Sequence, residues 1–196
     1  MIRLPVNSRA TDVCQGLIAA EKLFKLGARP PIVSHLCNLG RKLTIRLYKD
    51  IHHRAPKQGM LPYDAFWIVR SSVNGIHASI FMGLIDDLSL LQKQPGLNAQ
   101  TFITAYELYQ QIVAKNVHPS KREAGNNQFT LLDINRAWQL IQQFNTGNIC
   151  FESCKQCCAR YLAVNNLPKA FHQCPLCDVW ADQIGRRRWK TVRPRQ

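Results

Sequence analysis

Apolar residues recur with a helical period along most of the chain. Across 12–26 they fall at positions 13, 17, 20, 23, 24 and 26, which predicts a helix capped by Asp12 and stopped by Gly27. Pro30 and Pro31 fit only before or within a first turn, so a second, short helix is expected from there to about Cys37. Asn38-Leu39-Gly40 reads as a tight break whose glycine suits a left-handed backbone. A third helix follows from Arg41 to about His52, with Leu43, Leu47 and Ile51 turned inward. Helix, short break, helix is the outline of a helix-turn-helix.

Residues 54–67 form a turn-rich connector punctuated by Pro56, Gly59 and Pro62. From 67 to 93 the pattern gives one long or broken helix, with Val73, Ile76, Ile80, Phe81, Leu84, Leu88 and Leu91 on one broad face. Gly75 and Gly83 within it mark close packing or a kink. His77 lies amid this apolar run and reads as a hydrogen-bonded core or interface histidine, since no nucleophile or second base neighbours it. Asn98 caps a helix carrying Phe102, Tyr106, Tyr109 and Val113. After a polar loop at 117–128, Thr130 with Asp133 fits a capping box for a helix bearing Ile134, Trp138, Ile141 and Phe144, stopped by Gly147. These aromatics at helical spacing read as core.

The cysteines change this purely helical picture. Cys154-Lys-Gln-Cys157 and Cys174-Pro-Leu-Cys177 are two Cys-x-x-Cys pairs with sixteen residues between them (174 − 157 − 1). Two thiolates two residues apart can share one ion, and a second pair closes a tetrahedral four-sulfur cage suited to Zn²⁺. Four protein ligands leave no open position, so the ion would be structural, one per chain. Two disulfides and an iron–sulfur cluster are the competing readings; neither redox compartment nor spacing favours them. Cys150 and Cys158 flank the first pair and His172 precedes the second, so a substitution among ligands stays open at this point.

Charge adds a partner class. The net charge is +14. Residues 1–60 hold eleven Lys/Arg against three acids, 61–150 hold six against six, and 151–196 hold nine against three. Two basic ends around a neutral middle suit a polyanion at the ends and protein at the centre. Arg41, Lys42, Thr44, Arg46 and Lys49 are available on the outer faces of the third helix, where arginine can take guanine edges and lysine phosphates. Arg186, Arg187, Arg188 and Lys190 open a flexible C-terminal cluster of six Lys/Arg around Trp189, which can stack on a base. The N-terminus carries no apolar leader, and no apolar run reaches bilayer length, so a cytoplasmic chain without membrane contact is expected. Gly-rich phosphate loops, Ser/His/Asp arrangements and His-x-Glu are missing from the sequence, which argues for neither an enzyme nor a small-molecule substrate.

Several stretches together resemble the FlhC family, the larger subunit of the bacterial flagellar master transcriptional activator. They are LGAR at 26–29, RLYKDI at 46–51, KQGMLP at 57–62, Trp67, NGIHASIF at 74–81, AYELY at 105–109, RAW at 136–138 and the two cysteine pairs. Pro30-Pro31 and the extra Cys150 and Cys158 depart from the family pattern. The resemblance implies action with FlhD, as a ring-like assembly of four FlhD and two FlhC, on promoter DNA of flagellar operons, with recruitment of RNA polymerase. It implies one structural zinc on Cys154, Cys157, Cys174 and Cys177. The expected fold is mainly α: a helical body over 1–147 with a helix-turn-helix-like segment, a small four-cysteine zinc module over 148–185, and a basic tail over 186–196.

Overall fold

A computed structural model of the chain describes residues 8–91, 97–116, 132–165 and 174–183. Eight helices and one two-stranded sheet make up the described residues, so the fold is mainly α with a four-cysteine cluster near its C-terminal end. The helices are α1 (Ser8–Lys25), α2 (Pro30–Leu36), α3 (Arg41–His52), α4 (Trp67–Arg70), α5 (Ser72–Leu91), α6 (Ala99–Asn116), α7 (Ile134–Asn145) and α8 (Pro175–Gln183). Strands β1 (Ile149–Ser153) and β2 (Arg160–Val164) pair antiparallel, with Phe151 opposite Leu162. The helical period gave no hint of this hairpin. The chain divides into two compact units: one from the described parts of 1–62 and 81–139, the other from those of 63–80 and 140–196.

In the first unit, α1 starts a turn before Asp12, so that residue lies within the helix rather than at its cap. Gly27 ends it as expected: at φ +91 the chain turns back and the Ala28 N–H reaches the Leu23 carbonyl. Pro30 opens α2 at its first position. In the break before α3 the left-handed residue is Asn38, at φ 50, whereas Gly40 is extended and caps α3. Ser34 Oγ donates to the Leu39 carbonyl and fixes the turn. Gly16 is where this turn presses on α1; a Cβ there would lie 2.9 Å from the Cys37 carbonyl oxygen.

The inward face of α3 is not the predicted one. Thr44 and Tyr48 are buried, Leu47 and Ile51 are half-buried, and Leu43 is exposed. Tyr48 packs edge-on against Phe24 at 5.3 Å, with His52 beside both rings. Thr44, expected on the outer face, instead donates its hydroxyl to the Gly40 carbonyl and is satisfied inside. An aromatic cluster lies within the rest of this unit's core, among aliphatic side chains such as Ile103 and Ile134. Phe81 meets Phe102, Tyr106 and Tyr109 edge-on, and the two tyrosine hydroxyls bond the backbone of Leu132. Asn98 caps α6 through the Thr101 N–H, as expected. Helix α7 begins at Ile134, so Asp133 precedes its first residue; Thr130 lies outside the described residues.

In the second unit, extended Ser71 separates α4 from α5, and the Asn74 amide donates to the Trp67 carbonyl across the break. The part of α5 in this unit buries Ser72, Gly75 and Ala78; Phe81, Met82 and Ile85 are buried in the first unit. Of the broad face predicted for this helix only Phe81 is buried; Leu91 is 81% exposed.

Candidate metal centre and nucleic-acid interface

The four cysteines meet at the tip of the hairpin and the start of α8. After β1 the chain turns through Cys154–Cys158, where Cys158 takes φ 58 and its N–H returns to the Cys154 carbonyl. The Cys154 N–H in turn donates to the Ala159 carbonyl, closing the hairpin. Cys174 caps α8: the Asp178 N–H reaches its carbonyl, Pro175 takes the first helical position, and Cys177 lies in the first turn.

All four Sγ atoms lie within 4.8 Å of one another. Cys154 and Cys177 sulfurs are 3.7 Å apart, and Cys157 and Cys174 sulfurs 3.6 Å. Such separations are too long for a disulfide, whose sulfurs approach to about 2.05 Å. They match the roughly 3.8 Å edge of a tetrahedron whose sulfurs stand about 2.3 Å from a central Zn²⁺. The protonation pattern agrees. Backbone N–H groups of Cys157 and Gln156 hold the Cys154 thiol down to about 6, while hydrogen bonding with Cys157, then burial, push Cys177 up to about 12. One sulfur ionises readily and a second negative charge beside it is resisted. A divalent cation removes that resistance, so the donor set could hold a metal ion and fits zinc.

The neighbouring thiols stay out of the cluster. Cys150 packs against Tyr161, Ala163 and Cys174, and its sulfur donates to Asn165 Oδ1 at 2.9 Å. Cys158 is exposed. His172 lies outside the described residues.

Helix α5 supplies the seat for this cluster through three small residues on one face. Ser72 hydrogen-bonds Asp178 of α8, Gly75 abuts Pro175, and Ser79 Oγ accepts the Leu162 N–H of β2. A Cβ on Gly75 would lie 3.1 Å from Pro175 Cβ and 3.4 Å from the Ile68 carbonyl. The glycine therefore marks close packing, as read from the sequence. Gly75→Val is expected to cost about 1–3 kcal/mol by overpacking. It should also speed metal loss to a chelator; thermal melting and zinc-release kinetics check both.

In the first unit, Arg41, Lys42, Arg46 and Lys49 are all exposed on α3. The buried side of the same helix is held by Tyr48 and Thr44, so Lys42, Arg46 and Lys49 project away from the core, while Arg41 is exposed at the helix start on the buried stripe. Among the described residues none of them is in an ion pair. Arg186, Arg187, Arg188, Lys190 and Trp189 lie outside the described residues. Sequence reasoning missed Arg29. Its guanidinium donates to the carbonyls of Lys57, Gly59 and Met60, joining the LGAR and KQGMLP stretches. No helix among the described residues is long and apolar enough to cross a membrane.

Residues 7–190 match the family model described as Flagellar transcriptional activator (FlhC). The Flagellar transcriptional regulator FlhC of Gallionella capsiferriformans (strain ES-2) is 30% identical over 163 residues, covering 83% of each chain. That of Cupriavidus pinatubonensis (strain JMP 134 / LMG 1197) is 28% identical over 173 residues, 88% of this chain and 76% of its own. The corresponding Erwinia tasmaniensis protein is 28% identical over 172 residues, 88% and 90%.

Proposed function

Because the chain belongs to the FlhC family of flagellar transcriptional regulators, we propose that it is the DNA-binding subunit of a cytoplasmic activator. With FlhD, in an assembly of four FlhD and two copies of this chain, it binds promoters of flagellar operons and recruits RNA polymerase. It catalyses no reaction and takes no small-molecule substrate. One zinc held by Cys154, Cys157, Cys174 and Cys177 orders the C-terminal module, 148–185, ahead of the basic tail at 186–196. The zinc polarises nothing here; the chain's own residues bind and orient the nucleic acid.

The observation that carries this reading is the cationic outer face of α3, the second helix of a helix-turn-helix outline. Such a helix fits the major groove, with Arg41 and Arg46 able to reach base edges and Lys42 and Lys49 phosphates. Exposed apolar side chains support a protein partner: Leu90 and Leu91 at the end of α5 project into solvent. The test is binding to a flagellar promoter duplex and a scrambled duplex across a salt series, with FlhD present. Lys42→Gln/Lys49→Gln is expected to lower the log–log salt slope by about 1.8, at roughly 0.9 per phosphate contact. An unchanged slope, or equal affinity for both duplexes, would reject the reading in favour of nonspecific nucleic-acid binding.

A further inference from the structure

We infer that the connector following α3, residues 53–60, is a second phosphate-binding element for duplex DNA, held in shape by Arg29. The inference rests on the DNA-binding reading above and adds residues to it. Arg29 Nη1 donates to the Met60 carbonyl at 2.8 Å, and Nη2 to those of Lys57 at 3.0 Å and Gly59 at 2.5 Å. One guanidinium thus gathers three carbonyls of a single turn, in which Gly59 takes φ +106. Arg29 is itself fixed: its N–H donates to Asn135 Oδ1, and Asn135 Nδ2 donates to the Gly27 carbonyl. At the connector's other end, left-handed His53 caps α3 with its N–H on the Lys49 carbonyl.

A polar segment without a buried apolar anchor is therefore held at both ends. Beside Ala55, Gln58 and Met60 it presents two cations. Arg54 and Lys57 are exposed, neither is in an ion pair among the described residues, and no acid occurs between Asp50 and Asp64. Arg54 follows the α3 cap directly, so a helix lying in the groove would bring this segment to the flanking backbone. Fixing the segment beforehand removes ordering cost from binding. Arg29 is a positioning residue, since its fork is occupied by carbonyls and is not free for phosphate.

The experiment is a salt series on the full chain co-purified with FlhD, using promoter and scrambled duplexes. Arg54→Gln/Lys57→Gln, both at exposed positions, should lower the slope by about 1.8 and leave the promoter-to-scrambled ratio unchanged. Arg29→Lys keeps the charge but loses the planar fork, and should lower the slope as well. Gly59→Ala is the second way to disturb the turn, because its added methyl meets nothing within 4 Å and only backbone preference changes. If Arg54→Gln/Lys57→Gln keeps the parental slope while Lys42→Gln/Lys49→Gln lowers it, the connector is not an interface and the α3 reading survives. If neither pair changes the slope, both readings fall. If Arg29→Lys and Gly59→Ala both keep the slope that Arg54→Gln/Lys57→Gln lowers, Arg29 does not position the loop.

Discussion

Cys177→Ser is expected to leave the four-cysteine site unable to hold zinc and to unfold the unit around it. Structural zinc in small knuckles contributes about 10–16 kcal/mol, comparable to the whole stability, roughly 5–15 kcal/mol, of a typical domain. The core at the cluster is too small to replace it: Tyr161, Ala163 and Cys174 are its buried members, packed largely against sulfur. Native mass spectrometry should therefore find the variant without zinc, and limited proteolysis should open the hairpin. Cys150→Ser is the matched control, because that thiol bonds Asn165 and stands outside the four. Full zinc content and parental protease resistance in Cys177→Ser would refute a structural ion.

The second large effect belongs to Phe81→Ala. Phe81 is fully buried and touches three aromatic rings edge-on, at 6.0 Å to Phe102, 6.3 Å to Tyr106 and 6.2 Å to Tyr109. Removing it loses the transfer free energy of the ring and leaves a cavity among stiff neighbours, a cost of about 3–5 kcal/mol. Leu91→Ala on the same helix, 81% exposed, should stay within about 0.5 kcal/mol. Urea unfolding compares the two. A loss below about 1 kcal/mol for Phe81→Ala would mean that the aromatic cluster is not the core of its unit.

Element positions were legible wherever a chemical signal marked an end. Gly27, Pro30, Asn98 and Gly147 each stand where a helix starts or stops, because glycine, proline and asparagine act on the backbone locally. Facing was less legible. In α3 two stripes compete at the same spacing, Leu43/Leu47/Ile51 and Thr44/Tyr48/His52. Side-chain hydropathy favours the first, but the Phe24 ring and the Gly40 carbonyl give the second its partners. Helix α5 is apolar nearly all round, so periodicity could not choose its buried side; the small residues that admit Pro175 and β2 did.

The candidate site divides in the same way. Spacing was enough to pair Cys154 with Cys157 and Cys174 with Cys177, because a two-residue gap is itself a geometric statement, but it left a place for Cys150 or Cys158 open; in the fold neither belongs to the cluster. The hairpin carrying the first pair escaped notice. Its strands are five residues each and show no alternation, since β2 buries the four successive residues Tyr161, Leu162, Ala163 and Val164. Arg29 was beyond sequence reasoning for another reason. Its acceptors are main-chain oxygens, which every residue possesses and no letter code marks.

The contact between Gly75 and Pro175 also constrains how the protein can be recombined. A C-terminal segment grafted from a distant homologue would bring its own knuckle but inherit a berth shaped for this proline. Chimaeras should therefore join better when residues 72–79 travel with the graft, and the two segments ought to diverge as one inherited piece.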